Sequence, residues 1–523
     1  MTKLLLVGLL GGITLLGACS STGDGINGSG GNGSGGSGSG GTSATGGVSG
    51  TGGSHTGGLS GTAGTGTGGA EASGGTSGTG GSGTGGSGSG TGGSGTGGAT
   101  STGGSGSGGN GTGGSGTGGT SVGGHAGGSA TGGAGDTGGS AGSSGATHWV
   151  GTWAASPYYD SANQPPASLS NSVLRQITHV SIGGSQLRVQ FSKLFGNGSV
   201  TIKAAHIALC KATPLVDSTI DTVTDRALAF SGTDTVTIAQ GKEVWSDPVS
   251  FTVPPLGNVT ITTAFGSVPS NVTGHSGSRT NSFIQTGSST VTAASMASGT
   301  TSAEHWYFIS GIDVMAPAAD RAIVAIGDSI TDGRGVDINK NNRWTDDLSA
   351  RLQAGATSGV GMLNQGIGAT NLVGSGTAAQ ARFSRDVLGQ SGVRYVIVFD
   401  GVNDIGGDAS FASMKPVYDS LISQAHAAGL LIYGATITPF GANSYYTAAH
   451  ESVRQQVNTY IKSGVFDGVL DFDAAVTDGG NPPKLQSAYA TWTSADGSGD
   501  GLHPSPAGYQ KMADSADLTL FTK

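Results

Sequence analysis

Two cysteines in 523 residues leave no room for a disulfide framework, so core packing and hydrogen bonds must hold this chain together. Basic charge is also scarce. Against 32 Asp and Glu there are only 23 Lys and Arg, giving a net charge of −9 with no basic cluster. This argues against a nucleic-acid partner. The histidines lack metal-ligand spacing: His179, His206, His275 and His305 are scattered, so no zinc site is expected and no chemistry falls to them. His55 and His125 read as solvated spacers. Long apolar runs are missing except near the start, where Lys3 precedes Leu4 to Leu16, broken by Gly. That run is too short for a comfortable membrane-spanning helix and fits a secretory leader.

Glycine is abundant, with 104 residues concentrated in one tract. Composition divides the chain into a leader (1–18), a Gly/Ser/Thr tether (19–146), a strand-rich segment (147–314) and an alternating segment (318–523). The tether buries almost no apolar surface and is expected to be disordered. A Gly/Ser coil of about 125 residues spans roughly 60 Å root-mean-square. The leader ends Leu16-Gly17-Ala18-Cys19, which resembles the lipobox of bacterial lipoproteins. The resemblance implies lipidation of Cys19, a membrane anchor and, with Ser20 following, an outer-membrane or cell-surface location. An ordinary signal peptide and secretion are the alternative.

From 147 to 314, short runs alternate apolar and polar residues. Examples are Ser172 to Ile177, Gln186 to Phe191, Ser199 to Lys203, Val249 to Val253 and Val259 to Thr262. Thr/Val enrichment with Gly, Asn, Asp and Pro punctuation predicts antiparallel strands in an all-β sandwich or jelly-roll-like module. Trp149, Trp153, Trp245 and Trp306 could bind glycans if exposed; core packing is the competing reading.

From 318 onward the period changes. Ala322 to Ile326 is an apolar run that breaks into Gly327-Asp328-Ser329, as a buried strand does when it delivers its last side chains to a loop. Trp344, Leu348 and Leu352 recur at helical spacing. Strands follow at Val360 to Asn364, Val393 to Phe399 and Leu430 to Ile437, separated by helical stretches near 377–388, 411–428 and 445–462. Gly468 to Phe472 and a last helix from Pro506 complete the pattern. Such alternation predicts an α/β, doubly wound parallel sheet. Ligands bind such sheets at the carboxyl ends of the strands, where Asn364 to Asn371, Asp400 to Asp404 and Asp500 to Pro504 fall.

The ordered blocks Gly327-Asp328-Ser329, Gly401-Val402-Asn403-Asp404 and Asp500-Gly501-Leu502-His503-Pro504 resemble those of the SGNH, or GDSL-like, hydrolase superfamily. The resemblance covers about 200 residues and implies a flavodoxin-like catalytic domain. The extension from Ser329 to Gly335, then Asn342-Arg343-Trp344, looks like a bacterial arylesterase/acylhydrolase branch found beside xylan-degrading enzymes. The opening Trp149 to Ser156 looks like the N-terminal β-module of that branch. The resemblance implies Ser329 as nucleophile, His503 as base and Asp500 as its orienting carboxylate. It also implies an oxyanion hole made by the amides of Ser329 and Ala369 and the side chain of Asn403, with no metal or organic cofactor. At one point the chain departs from the pattern: the family's second block usually has glycine where Ala369 stands.

The resemblance, with the expected surface display, implies a serine esterase acting on short-chain, acetyl-type esters of carbohydrates or aryl alcohols. A lipase or thioesterase uses the same chemistry. A surface glycan-binding adhesin with an inactive hydrolase domain is the reading from a different class. At residue level, Asp500 and His503 could be loop polar groups, Asn403 a helix cap, and His426 and His450 surface positions on helices.

Overall fold

The computed structural model describes residues 146–211, 215, 217–492 and 499–523. Cys19, the leader and nearly all of the tether lie outside the described residues. Among the described residues, no helix is long and apolar enough to cross a membrane.

The strand-rich segment forms two large antiparallel sheets and a two-stranded ladder of Gly274–His275 with Trp306–Tyr307. In one, Val249–Val253, Gly184–Lys193, Ile309–Pro317 and Thr147–Ala154 lie side by side, with Lys242–Trp245 joined to the second. The other runs Thr301–Ala303, Ser282–Gln285, Val173–His179, Asn258–Phe265, Val200–Leu209 and Arg226–Leu228, with Val236–Ile238 also on the fifth. Alternation explains the arrangement. Leu187, Val189 and Phe191 point inward from one sheet and meet Ile202, Ile207 and Ile261 from the other, all fully buried. The four tryptophans are engaged in packing. Trp153 and Trp306 form an edge-to-face pair at 4.9 Å. Trp149 and Trp245 lie 4.6 and 4.3 Å from the Arg188 guanidinium, which pairs with Asp313 at 2.7 Å.

The alternating segment is a five-stranded parallel sheet of β1 (Arg321–Gly327), β2 (Val360–Gly366), β3 (Val393–Phe399), β4 (Leu431–Ala435) and β5 (Gly468–Leu470). Its spatial order is β2-β1-β3-β4-β5. That is the flavodoxin-like doubly wound order. The helices are α1 (Ser329–Asp332), α2 (Trp344–Gln353), α3 (Ala379–Phe383), α4 (Val402–Gly406), α5 (Phe411–Ala427), α6 (Ala448–Tyr460) and α7 (Pro506–Ser515), with the short helices Phe472–Val476 and Ser487–Ala490 between α6 and α7. Helix starts follow their caps: Ser410, Thr447 and Ser505 each accept an N–H from the first turn of α5, α6 and α7. Two elements differ from the sequence expectation. Asp328–Asp332 and Gly401–Gly406, read as loops, contain the short helices α1 and α4, because each strand end leads straight into a helical turn.

The two segments share one continuous hydrophobic core. The strand-rich segment bonds to the turn before β3 and to β2: the Gly151 amide donates to the Ser391 carbonyl at 2.9 Å and the Met362 amide to Ser181 Oγ at 2.9 Å. A methyl at Gly361 would sit 2.5 Å from the Gly151 carbonyl oxygen. Gly361→Ala is therefore expected to cost about 1–3 kcal/mol through overpacking. Calorimetry should show one unfolding transition, shifted down as a whole. Two transitions of which only one moves would mean the segments unfold independently.

Candidate active site

Strand β1 ends at Gly327, and Asp328 caps the turn that follows by accepting the Ile330 amide at 2.8 Å. This places Ser329 at the first position of α1, where its own N–H has no protein acceptor among the described residues. Gly333, in the left-handed region at φ 91°, stops the helix after one turn and returns its N–H to the Ser329 carbonyl. The serine is thus held by a tight turn at the carboxyl end of β1.

His503 arrives from the loop before α7. Ser329 Oγ and His503 Nε2 are 2.7 Å apart, and His503 Nδ1 is 2.7 Å from Asp500 Oδ2. The other carboxylate oxygen of Asp500 accepts the amides of Leu502 at 3.0 Å and His503 at 2.9 Å. One aspartate therefore both folds its loop and orients the ring. An ionised carboxylate only accepts, so Nδ1 carries the proton and Nε2 presents its lone pair to the serine hydroxyl. Burial works against the charge on Asp500, but His503 and the two backbone N–H groups hold its carboxyl well below the usual range. Burial also lowers the His503 pKa; Asp500 opposes this, while Arg334 and Arg279 add to it. The imidazole is therefore neutral and basic at neutral pH.

Asn403 sits inside α4 and is not its cap, which is Gly401. Its Nδ2 donates to the Thr370 carbonyl at 2.8 Å and its Oδ1 accepts from the Tyr445 hydroxyl at 3.1 Å. One amide hydrogen remains for another acceptor. Ala369 lies on the loop after β2 and is exposed, with φ 61° and no protein acceptor for its N–H among the described residues. The left-handed backbone gives a physical reason for the glycine expected there: a residue with Cβ adopts that conformation only at a cost.

Beneath the serine lies a group of acids that sequence reasoning did not single out. Gly327 and Phe399 are paired across β1 and β3, so the residues that follow, Asp328 and Asp400, emerge side by side. Burial, with Asp404 and Asp332 nearby, pushes Asp328 up to about 7. Burial and Asp328 raise Asp400 well above the ordinary carboxylate value, against the Arg382 charge and the Gly401 amide. The matching Asp after each apolar run was the available signal. His450, expected at the surface, is instead buried. Its Nε2 bonds Asp408 at 2.8 Å and its Nδ1 the Tyr445 carbonyl at 2.6 Å, because α6 turns that face toward the loop carrying Tyr445. His275, which received no chemistry from the sequence, is also buried and bonds Asp332 at 2.9 Å.

Residues 325–511 match the model of the GDSL-like Lipase/Acylhydrolase family. No curated protein matches the chain. Among solved structures, similar chains include an acetyl-xylooligosaccharide esterase from Geobacillus Stearmophilus, 20% identical over 37% of this chain and 91% of its own, with a TM-score of 0.29. A GDSL-like lipase from Bacteroides thetaiotaomicron is 18% identical over 37% of this chain and 84% of its own, with a TM-score of 0.28. A member of the lipolytic G-D-S-L family from Veillonella parvula is 18% identical over 39% of this chain and 99% of its own, also at 0.28.

Arg334 Nε lies 3.6 Å from Asp500 Oδ2, and its guanidinium lies 5.4 Å from the Trp492 ring centroid. Its positive charge disfavours imidazolium at His503. An NMR titration should place the His503 pKa below 6.5, and Arg334→Gln should move it upward. No movement, or a downward one, would contradict the electrostatic role of Arg334.

Proposed function

We propose that this protein, in which residues 325–511 form a domain of the GDSL-like lipase/acylhydrolase family, is a serine esterase cleaving short-chain, chiefly acetyl, esters of carbohydrates or aryl alcohols. The carboxylic ester hydrolase class comes with the family. The Ser-His-Asp mechanism is supported by one observation above the others: the continuous line from Ser329 Oγ through the His503 ring to Asp500, with 2.7 Å at each junction.

In this mechanism Ser329 Oγ attacks the acyl carbonyl as its proton passes to His503 Nε2. The carbonyl oxygen becomes an oxyanion, which the Ser329 and Ala369 amides and the remaining Asn403 Nδ2 hydrogen stabilise. When the C–O bond breaks, His503 returns its proton to the leaving alcohol and the acyl group remains on Ser329. Water, deprotonated by the same imidazole, then releases the carboxylic acid and restores the serine. Asp500 keeps the ring in the required tautomer and stabilises its cationic form. The preference for acetyl esters of plant polysaccharide rests on the branch-like extensions around Ser329, Arg343 and Trp149–Ser156. The leader and tether composition supports display at the cell surface through a lipid on Cys19.

With p-nitrophenyl acetate, Ser329→Ala is expected to lose essentially all turnover. Asn403→Ala should lower kcat by about 10²–10³-fold, the usual effect of removing one oxyanion donor. Equal rates for Ser329→Ala and the wild type would eliminate the nucleophile assignment. Release of acetate from acetylated xylan, compared with longer-chain esters, tests the substrate class; no preference for acetyl groups would remove it. In a bacterial host, Cys19→Ser should move the protein out of the membrane fraction, and unchanged partitioning would count against the anchor.

A further inference from the structure

Asp332 is the last residue of α1, three positions after the serine, and its side chain is only 4% exposed. Its carboxylate joins three segments distant in sequence. Oδ2 accepts the Gly368 amide at 3.1 Å, on the loop after β2. Oδ1 lies 2.9 Å from His275 Nε2, and Arg279 Nη2 lies 3.9 Å from Oδ2, both from the strand-rich segment. His275 is itself fixed, because its Nδ1 lies 2.9 Å from the Ser156 carbonyl. Both ring nitrogens thus face oxygen acceptors. Burial opposes ionisation of Asp332, yet His275, with Arg279 and Arg343, holds its pKa below the ordinary value, so the carboxylate is charged.

The loop 274–281 is fitted closely to this carboxylate. A Cβ added at Gly277 would stand 2.0 Å from Asp332 Oδ2, so no side chain is possible there without displacing the contact. Arg343 ties both sides together: its Nε donates to the Asp332 carbonyl at 3.0 Å, and its Nη2 to the carbonyls of Gly277 at 3.2 Å and Ser278 at 2.5 Å.

On the other side of Asp332 lies Ala369. Its left-handed backbone is disfavoured for alanine, and such a conformation persists only when the surroundings over-determine it. Both neighbours are held. The Gly368 amide is fixed by Asp332, while the Thr370 carbonyl accepts Asn403 Nδ2 at 2.8 Å and the Thr370 hydroxyl donates to the Thr377 carbonyl at 2.6 Å. Further along, Asp404 accepts the amides of Leu372 at 2.7 Å and Val373 at 3.0 Å. The clamp at 370–373 comes from the block that carries Asn403. The clamp at 368 comes from Asp332 alone, and Asp332 is oriented by the strand-rich segment.

We propose that Asp332 is a positioning residue of the oxyanion hole, and that the strand-rich segment is part of the esterase machinery because its His275 holds that carboxylate against Gly368. The inference rests on the oxyanion reading of Ala369 given above. It assigns the N-terminal β-structure a role in transition-state stabilisation, distinct from the capture of glycans.

The test uses the full chain, p-nitrophenyl acetate and a trifluoromethyl ketone, which adds reversibly to a serine and carries an oxyanion in the adduct. Asp332→Ala removes the Gly368 acceptor and should lower kcat by about 10²-fold, the size of one mispositioned oxyanion donor, while KM stays within about twofold. Inhibitor affinity should fall in parallel. Asp332→Asn should restore most of both, since its Oδ1 can accept from Gly368 and its Nδ2 can donate to His275 Nε2 when that nitrogen carries no proton. His275→Gln keeps Asp332 and should lower kcat and inhibitor affinity by about 10-fold; it decides the matter if Asp332→Ala does not fold. Partial unfolding would reduce the active fraction without changing inhibitor affinity. Unchanged affinity in the folded variants therefore overturns the proposal, even where kcat falls. Loss of wild-type turnover in Ser329→Ala shows that the esterase reading stands while this is decided. A wild type without such turnover would remove both.

Discussion

The structure depends most on one buried anion. Asp332 has almost no contact with water, so its charge must be met by protein donors, and these come from β2's loop and from the strand-rich segment. Removing one partner from a buried pair costs about 3–5 kcal/mol because a charge is left stranded. An exposed pair such as Lys415–Asp419, with side chains 44% and 48% accessible, is worth about 0–1 kcal/mol at most. The large term therefore lies where the two segments and the serine's own helix meet. Fold and site are coupled there by the same bonds.

The rest of the site follows from topology. A parallel sheet brings the carboxyl ends of β1, β2 and β3 to one edge, and each end carries a different part: Ser329, the Gly366–Ala369 loop, and the turn containing Asn403. The fourth part, Asp500 to His503, arrives on the approach to α7. Its three-residue spacing lets a single carboxylate satisfy two loop amides and the imidazole together. The same convergence gathers Asp328, Asp400 and Asp404 below the serine. Burial there raises Asp328 and Asp400 above the ordinary carboxylate value, and the charge of the Arg382 guanidinium, which donates to the Gly327 carbonyl at 2.9 Å, opposes that rise.

Much of this was legible in the residues. The continuous apolar run Val393–Phe399 identified a central parallel strand, and the break from Ile326 into Gly-Asp-Ser identified a strand end. The three blocks carrying Ser329, Asn403 and Asp500–His503 lie on elements that the hydrophobic period placed at the same edge. What could not be read was contact between distant segments. His275 stands 57 positions before Asp332 on a two-residue strand, and nothing local marks it as a partner. His450 looked like a solvated helical residue because its partner, the Tyr445 carbonyl, is set by a loop without periodicity. Ala369 could be flagged only as a missing glycine. Its φ of 61° lies in the left-handed region that favours glycine. Cys19 and the expected anchor lie outside the described residues.

The assignment of Ser329 as the nucleophile is tested most directly by treating the full chain with a serine-directed fluorophosphonate and mapping the adduct by mass spectrometry. The expected result is one phosphonyl group, carried by the peptide containing Ser329, with labelling strongly slowed in His503→Ala. Stoichiometric labelling at another residue, or labelling of Ser329 at the same rate without His503, would contradict the catalytic line on which the functional reading stands.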